Sequence, residues 1–206
     1  MAARGVVLAT MITVALVPAP HLHAAGQAPA RPRPSAPAGP GAVNPDAQTM
    51  VEFGKRVEEY VALHRKIEGA LPALPDEATP EAIDAHQRAF AAAMAKARPG
   101  ARQGDLFTPP MQDAVRRLIG QLFQGARARR QLRDSIMDDN PAGRVKLAVN
   151  ARYPDQVPLS TMPPDVLENL PKLPKEVEYR FVGEHLILLD PDAHIVVDLM
   201  PRALPR

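Results

Sequence analysis

Two residues in the first helical segment of the chain have the types and the spacing of a pair of metal ligands. His64 and Glu68 are one helical turn apart, so on a helix their side chains lie on the same face. Imidazole nitrogens and carboxylate oxygens both bind zinc, but a complete site needs two or more further ligands from elsewhere in the fold. The alternative, which we favour, is a buried structural histidine. We then expect a neutral ring that is hydrogen-bonded to Glu68 or to a backbone carbonyl.

A second candidate site is a group of arginines suited to binding an anion. Arg129 and Arg130 lie four and three residues before Arg133, so the three share one face of a helix. Guanidinium groups bind phosphates, lipid headgroups and carboxylates through charge-assisted hydrogen bonds. These three residues are therefore the predicted anion- or partner-binding residues. The alternative is a solvated helix face that Asp134 and Asp138 partly neutralise.

Acidic residues near the end of the sequence have spacings that suggest a calcium loop. The group consists of Asp190, Asp192, His194 and Asp198. A loop of the EF-hand type requires glycine at its sixth position and glutamate at its twelfth, where this chain has Ile195 and Pro201. We therefore predict a hairpin loop over residues 191–194 instead of a metal site. In that loop Asp190 bonds to the backbone and His194 adopts the left-handed conformation.

The motifs of most hydrolases and cofactor enzymes are missing from the sequence. There is no cysteine, which excludes thiol catalysis and thiolate metal sites. No serine lies in a Gly-x-Ser-x-Gly turn, and there is neither a His-Glu-x-x-His helix nor a glycine-rich phosphate loop. We therefore predict no catalytic residues and no cofactor. A carboxylate pair assembled from distant positions, such as Glu81 with Asp105, stays open.

Prolines mark where the helices are expected to begin. Apolar residues recur at helical spacing after each of three such prolines, and a fourth, shorter helix is predicted over residues 126–137. Three dipeptides place a capping residue before a proline that tolerates the first helical turn: Asn44-Pro45, Thr79-Pro80 and Thr108-Pro109. His64 lies at the centre of the first apolar face, formed by Met50, Phe53, Val57, Tyr60, Val61, Ile67 and Leu71. The second face comprises Ile83, Phe90, Met94 and Ala97.

The spacing of apolar residues changes from helical to alternating after residue 140. Residues 145–149 alternate between apolar and polar or small side chains and predict a strand. Three further strands follow near the end of the sequence. A two-residue turn at 183–184 joins the first to the second, and the continuous apolar run at 186–189 is typical of a middle strand.

The order of these elements predicts an α+β fold. Three to four N-terminal helices pack on a small C-terminal antiparallel β-meander. One more short helix is expected at residues 163–170, with Ser160 or Thr161 as its cap.

The N-terminal segment has the composition of an export signal. Residues 1–25 contain an arginine, then an apolar stretch too short to span a bilayer, then small residues, and are predicted to be a signal peptide. A Pro/Ala-rich disordered arm is predicted over 26–45. One domain is expected over 46–206, with helices within 46–139 and a strand-rich part within 144–200. The expected location is the periplasm, or the medium after secretion, with no transmembrane segment in the mature chain.

Three stretches of the domain resemble a group of secreted bacterial proteins. They are YVALHRKIEGALP, QGDLFTP and the long C-terminal run YPDQVPLSTMPPDVLENLPKLPKEVEYRFVGEHLILLDPDAHIVVDLMPRALP. The resemblance covers nearly the whole domain. It implies an exported single domain, and it brings no assigned activity and no site residues.

Charge and composition restrict the classes of partner. A net charge of +2, without aromatic residues among the arginines, argues against a nucleic-acid-binding protein. We predict a non-enzymatic periplasmic module that binds a protein or an envelope component. The alternative is a small hydrolase or a metal-dependent enzyme whose site has no known motif. A flat surface with an apolar patch favours the module, and a deep pocket lined by two carboxylates, or by His64 with a second histidine, favours the enzyme.

Overall fold

The computed structural model describes residues 45–138 and 145–204. The predicted signal peptide lies outside them, and so does the predicted arm apart from Pro45. The described helices are α1 (Pro45–Glu68), α2 (Pro80–Ala97), α3 (Pro109–Leu122), α4 (Ala126–Asp138) and α5 (Pro164–Asn169). The strands that follow are β1 (Glu178–Val182), β2 (His185–Asp190) and β3 (Ile195–Met200). Helices first and an antiparallel meander last confirm the predicted α+β fold.

The first three helices each begin at the predicted proline, but their caps differ. Oγ1 of Thr79 accepts a hydrogen bond from the backbone N–H of Ala82 at 3.3 Å, as a capping residue does. Thr108 makes no such bond, so its predicted role as a side-chain cap is wrong. The predicted cap of the short helix is also wrong. Pro163 occupies that position in α5, and the hydroxyl of Ser160 donates instead to the carbonyl of Phe181.

The strands pair in the order β1-β2-β3, and both connections follow the predicted turns. Gly183 has φ +57°, which glycine adopts at no steric cost, and so the two-residue turn between β1 and β2 forms. Residues 191–194 form the second turn, as expected. His194 has φ +53°, and Oδ1 of Asp190 accepts the N–H of Ala193 at 2.8 Å.

One face of the sheet packs against the helices and forms the larger core. The rings of Phe53 on α1, Phe107 before α3 and Tyr179 on β1 lie within 6.4 Å of one another, centroid to centroid. Helices α1 to α3 bury most of the apolar stripes that the sequence predicts, but Ile83 and Ala97 on α2 are exposed. Ile83 is 41% exposed because the buried residues of α2, Phe90 and Met94, lie farther along the helix. Phe90 contacts His64 there.

The opposite face of the sheet is covered by residues 145–157, where the strand prediction fails. Residues 145–149 form no strand. Farther along the same segment, an isolated antiparallel β-bridge joins Arg152 to Ile195. The alternation nevertheless has a physical cause. Val145, Leu147 and Val149 pack on a second apolar cluster that contains Ile187 and Leu189 of β2 and Tyr153. An extended segment lying over a sheet needs one apolar face just as a strand does.

A bulge in the β2–β3 pairing turns Asp198 toward the helices. Leu188 pairs with Asp198 and the next residue, Leu189, pairs with Val196, so Val197 is the extra residue on β3. The Asp198 carboxylate accepts four backbone N–H groups, at 2.7–2.8 Å, from Gly104, Leu106, Phe107 and Leu199. Burial raises the pKa of Asp198, and these hydrogen bonds oppose that effect. Asp198 therefore holds the loop that leads into α3 against the sheet.

No described helix combines the length and the apolar character that crossing a membrane requires.

Candidate functional site

A buried group of three polar side chains joins the end of α1 to the end of β2. Tyr60 and His64 are one turn apart on the inner face of α1, and Asp190 is the last residue of β2. The Tyr60 hydroxyl donates to Oδ2 of Asp190 at 2.6 Å, and Nδ1–H of His64 donates to the same oxygen at 2.7 Å. The ring of Phe90 lies over His64, with a centroid separation of 4.8 Å. The imidazole is thus held on one side by a carboxylate and on another by an aromatic ring.

The second ring nitrogen of His64 faces two carboxylates. Nε2 lies 3.7 Å from Oε2 of Glu68 and 3.7 Å from Oδ2 of Asp192. One ring nitrogen of His64, one carboxylate oxygen of Glu68 and one of Asp192 all lie within 4.8 Å of one another. The His64 side chain is 0% exposed, whereas those of Glu68 and Asp192 are 53% and 56% exposed. Nε2 has no hydrogen-bond partner among the described residues. The site is a buried nitrogen beneath two solvent-facing acids.

Several competing effects set the protonation equilibria of this group. Burial lowers the pKa of His64, but the hydrogen bond and charge of Asp190 and the charges of Glu68 and Asp192 together raise it above its usual value. Burial, with the adjacent charge of Asp190, raises the pKa of Tyr60 far above its usual range. Burial and the charges of Asp190 and Glu68 also raise the pKa of Asp192, although His64 opposes them. The cluster therefore favours a positive charge at its centre.

The structure confirms part of the prediction for His64 and corrects the rest. His64 is buried, as expected, but its hydrogen-bond partner is Asp190 rather than Glu68 or a backbone carbonyl. Its pKa moves up, opposite to the direction that burial alone would give. The sequence places Asp192 only among the residues of a possible calcium loop and does not identify it as a neighbour of His64. In the sequence Asp192 is recognisable only as a carboxylate in a tight turn. Its distance from α1 depends on the whole fold.

The three candidate arginines lie on α4, where Arg133 is engaged in an ion pair. Arg133 forms an ion pair with Glu184 in the β1–β2 turn. Arg129 and Arg133 are half-buried, and Arg130 is exposed. The structure therefore places the three on one helix, but it uses Arg133 to attach α4 to the hairpin. Anion binding by Arg129, Arg130 and Arg133 stays a prediction.

The two carboxylates named above as a possible pair lie on different elements of the fold. Glu81 lies in the first turn of α2, and Asp105 lies in the loop before α3. Oδ2 of Asp105 accepts the backbone N–H of Arg102 at 2.7 Å, which gives Asp105 a structural role in that loop. No hydrogen bond joins Glu81 to Asp105 within the described residues.

An open groove of about 530 Å³ runs between α5 and β1. Its apolar surface comes from Leu167, Pro171, Leu173, Pro174, Val177 and Tyr179. Two exposed lysines, Lys172 and Lys175, lie along it. The remaining lining residues, Glu178 and Arg180, pair with each other at 2.7 Å.

Hydrogen bonds hold the walls of this groove in place. The Tyr179 hydroxyl donates to the carbonyl of Pro171 at 3.1 Å and joins β1 to the segment after α5. Nε of Arg65 on α1 donates to Oε1 of Glu176 at 2.9 Å, just before β1. This bond lowers the pKa of Glu176 and keeps it ionised. Because prolines at 171 and 174 also restrict the backbone, the groove is preformed.

The chain matches no protein-family model, no curated protein and no solved structure.

Proposed function

We propose that this is an exported, non-enzymatic binding module that takes an extended segment of a partner protein in the groove between α5 and β1. The observation that carries the proposal is the groove itself, an apolar surface with two lysines beside it. The resemblance to secreted bacterial proteins agrees with export. Binding in the periplasm, or outside the cell after secretion, is part of the same proposal.

The apolar surface of the groove provides the affinity. Leu167 is 49% exposed on the α5 side, and so it is available to a ligand at little conformational cost. A volume of about 530 Å³ lies within the range that ligand-binding clefts occupy. Prolines in the wall hold it open without a partner, and preorganisation of this kind lowers the entropic cost of binding.

The charges along the groove select the partner. Because Glu178 is paired with Arg180, the net charge of the lining comes from Lys172 and Lys175, and the charge of Lys175 also acts on Glu176 and Asp192. Neither lysine forms an ion pair with another described residue. A segment with apolar side chains flanked by Asp or Glu therefore complements the groove, whereas a basic segment is repelled.

The lining argues for binding rather than catalysis at this place. It contains no histidine and no serine, and its glutamate is ion-paired. The Tyr179 hydroxyl is already bonded to Pro171, and burial raises the pKa of Tyr179 far above its usual range. The groove thus offers neither an activated nucleophile nor a poised acid–base pair. The enzyme alternative depends instead on the His64 cluster.

Export predicts a processed chain. Expressed in a bacterium with its own leader, the protein is expected in the periplasmic fraction with a new N-terminus near Ala25 or Gly26. Edman sequencing or intact-mass measurement of that fraction checks this. An intact Met1 on protein that stays in the cytosol contradicts it.

The groove predicts selective recognition of acidic, apolar peptides. A random peptide library displayed on phage and selected on the purified protein is expected to yield sequences in which Leu, Val or Phe alternate with Asp or Glu. Replacing Lys172 and Lys175 together by glutamate should weaken a selected peptide by at least about tenfold, because two attractions become repulsions. Leu167→Asp should weaken it by a similar factor through loss of apolar contact. Fluorescence anisotropy with labelled peptides measures both.

Matched substitutions outside the groove serve as controls. Lys146→Glu reverses an exposed lysine and Val51→Asp replaces an exposed aliphatic residue, and both should leave peptide affinity unchanged. If the library yields no binders, or if the groove variants bind as well as the controls do, the proposed partner site is wrong.

A further inference from the structure

We propose that His64, Glu68 and Asp192 form a binding site for a divalent transition-metal ion, with zinc as the ligand that fits best. The site lies where the last turn of α1 meets the loop between β2 and β3. It shares no residue with the lining of the groove, although the charge of Lys175 acts on Asp192.

The distances at the cluster match a metal site and do not match a hydrogen-bonded one. Nε2 of His64 is 3.7 Å from each carboxylate oxygen, beyond hydrogen-bonding range. Ligands around a tetrahedral zinc, with bonds of about 2.0–2.2 Å, lie about 3.3–3.6 Å from one another. A small inward movement of two exposed carboxylates would bring all three atoms to that spacing. The histidine would not need to move.

The buried nitrogen provides an observation that is independent of the two acids. Nε2 of His64 is buried, lacks a hydrogen-bond partner among the described residues, and points between Glu68 and Asp192. A buried polar atom without a partner costs free energy, and so its presence calls for an explanation. A bound cation supplies the missing partner.

The residues behind His64 orient it as metal-bound histidines are oriented. Zinc-binding histidines usually donate their other ring N–H to a carboxylate or a carbonyl, which fixes the tautomer and makes the metal-binding nitrogen more basic. Here Nδ1–H donates to Asp190 at 2.7 Å, and Tyr60 holds the same Asp190 oxygen at 2.6 Å. This arrangement leaves the lone pair of Nε2 directed toward the two acids.

The donor set selects the class of ion. Calcium and magnesium prefer cages made only of oxygen ligands, whereas an imidazole nitrogen favours zinc and its neighbours in the first transition row. Three protein ligands leave one tetrahedral position for water. Since both carboxylates are more than half exposed, an ion can enter from solvent without opening the fold.

The competing explanation is an imidazolium ion among carboxylates. In that case the ring holds a proton on Nε2, the two acids only balance its charge, and no metal binds. The two explanations differ in what Glu68 and Asp192 do. As metal ligands, Glu68 and Asp192 are both required for zinc binding. As counter-ions they bind no zinc, so neutralising either one does not change the response of the protein to added zinc.

The test is a zinc titration of the full chain after removal of metals with EDTA. For the wild type, free zinc at ten times its dissociation constant is expected to raise the melting temperature by about 3–6 °C. Titration calorimetry should detect the same zinc binding, and calcium and magnesium should give no shift in melting temperature. Glu68→Gln and Asp192→Asn should each weaken zinc binding by at least about tenfold. Because both residues are largely exposed, these variants should fold as the wild type does.

Two control variants make the outcome decisive. Glu77→Gln changes an exposed acid outside the cluster, and His86→Gln removes a histidine on α2, and neither should alter the zinc-dependent shift. The full chain also carries His21 and His23, and so the comparison between variants, rather than total zinc bound, is the readout. A wild type without a zinc-dependent shift overturns the proposal. A shift that survives in the Glu68→Gln/Asp192→Asn double variant overturns it as well.

Discussion

Replacing Asp198 by alanine is expected to lower the free energy of unfolding by about 3–5 kcal/mol. Three of the N–H groups that Asp198 accepts belong to Gly104, Leu106 and Phe107 in the loop before α3. Alanine would leave them without acceptors at a buried place, and each orphaned donor costs about 1–3 kcal/mol before the loop relaxes. Urea unfolding followed by circular dichroism measures the change.

An exposed aspartate provides the control for this experiment. Asp113 lies on α3 and pairs with Arg116 at 3.1 Å on the surface. Asp113→Ala should change the free energy of unfolding by no more than about 0.5 kcal/mol, because surface ion pairs contribute little. A loss below about 1 kcal/mol in Asp198→Ala would show that the loop is not held by this carboxylate.

Replacing Asp190 by alanine is expected to be about as damaging, with a loss of about 3–5 kcal/mol. Asp190 accepts hydrogen bonds from the Tyr60 hydroxyl, from Nδ1–H of His64 and from the backbone N–H of Ala193. Its removal leaves two buried side chains of α1 without their partner and loosens the β2–β3 loop. Asp190→Asn should lose less, because the amide oxygen still accepts one or two of these bonds.

A double-mutant cycle isolates the contribution of the buried pair. Tyr60→Phe removes the hydroxyl and leaves the ring in the core. Its cost should be about 1–2 kcal/mol in the wild type and close to zero in Asp190→Ala, because the partner of the hydroxyl is then already gone. Equal costs in the two backgrounds would contradict a direct role for the Tyr60–Asp190 bond in stability.

The helices and turns could be predicted because short-range rules determine them. Pro45, Pro80 and Pro109 begin helices in the structure because proline tolerates the first helical turn, and the glycine at 183 forms the expected turn. The alternation over 145–149 indicated correctly that one side of the segment is apolar. It could not show whether that side faces a neighbouring strand or the flat surface of a sheet, since both bury every second residue.

Only the His64–Glu68 part of the candidate site could be predicted from the sequence. His64 and Glu68 share a turn of α1, so their proximity follows from helix geometry. Asp190 is 126 residues away along the chain, and Asp192 lies in the adjoining loop, so their arrival at His64 depends on the packing of the sheet against α1. The bulge at Val197 is a similar case, because one extra residue in β3 breaks the regular alternation of side chains between the two faces of the sheet.

The presentation of His64 to a metal ion by Asp190 is tested most directly by ¹⁵N NMR of the histidine-labelled full chain. On addition of one equivalent of zinc, the Nε2 resonance of His64 is predicted to move to the value of a metal-bound nitrogen. Nδ1 should remain protonated and bonded to Asp190, and His86 should be unaffected. An Nε2 resonance that does not respond to zinc, or a zinc-bound Nδ1, would contradict the site.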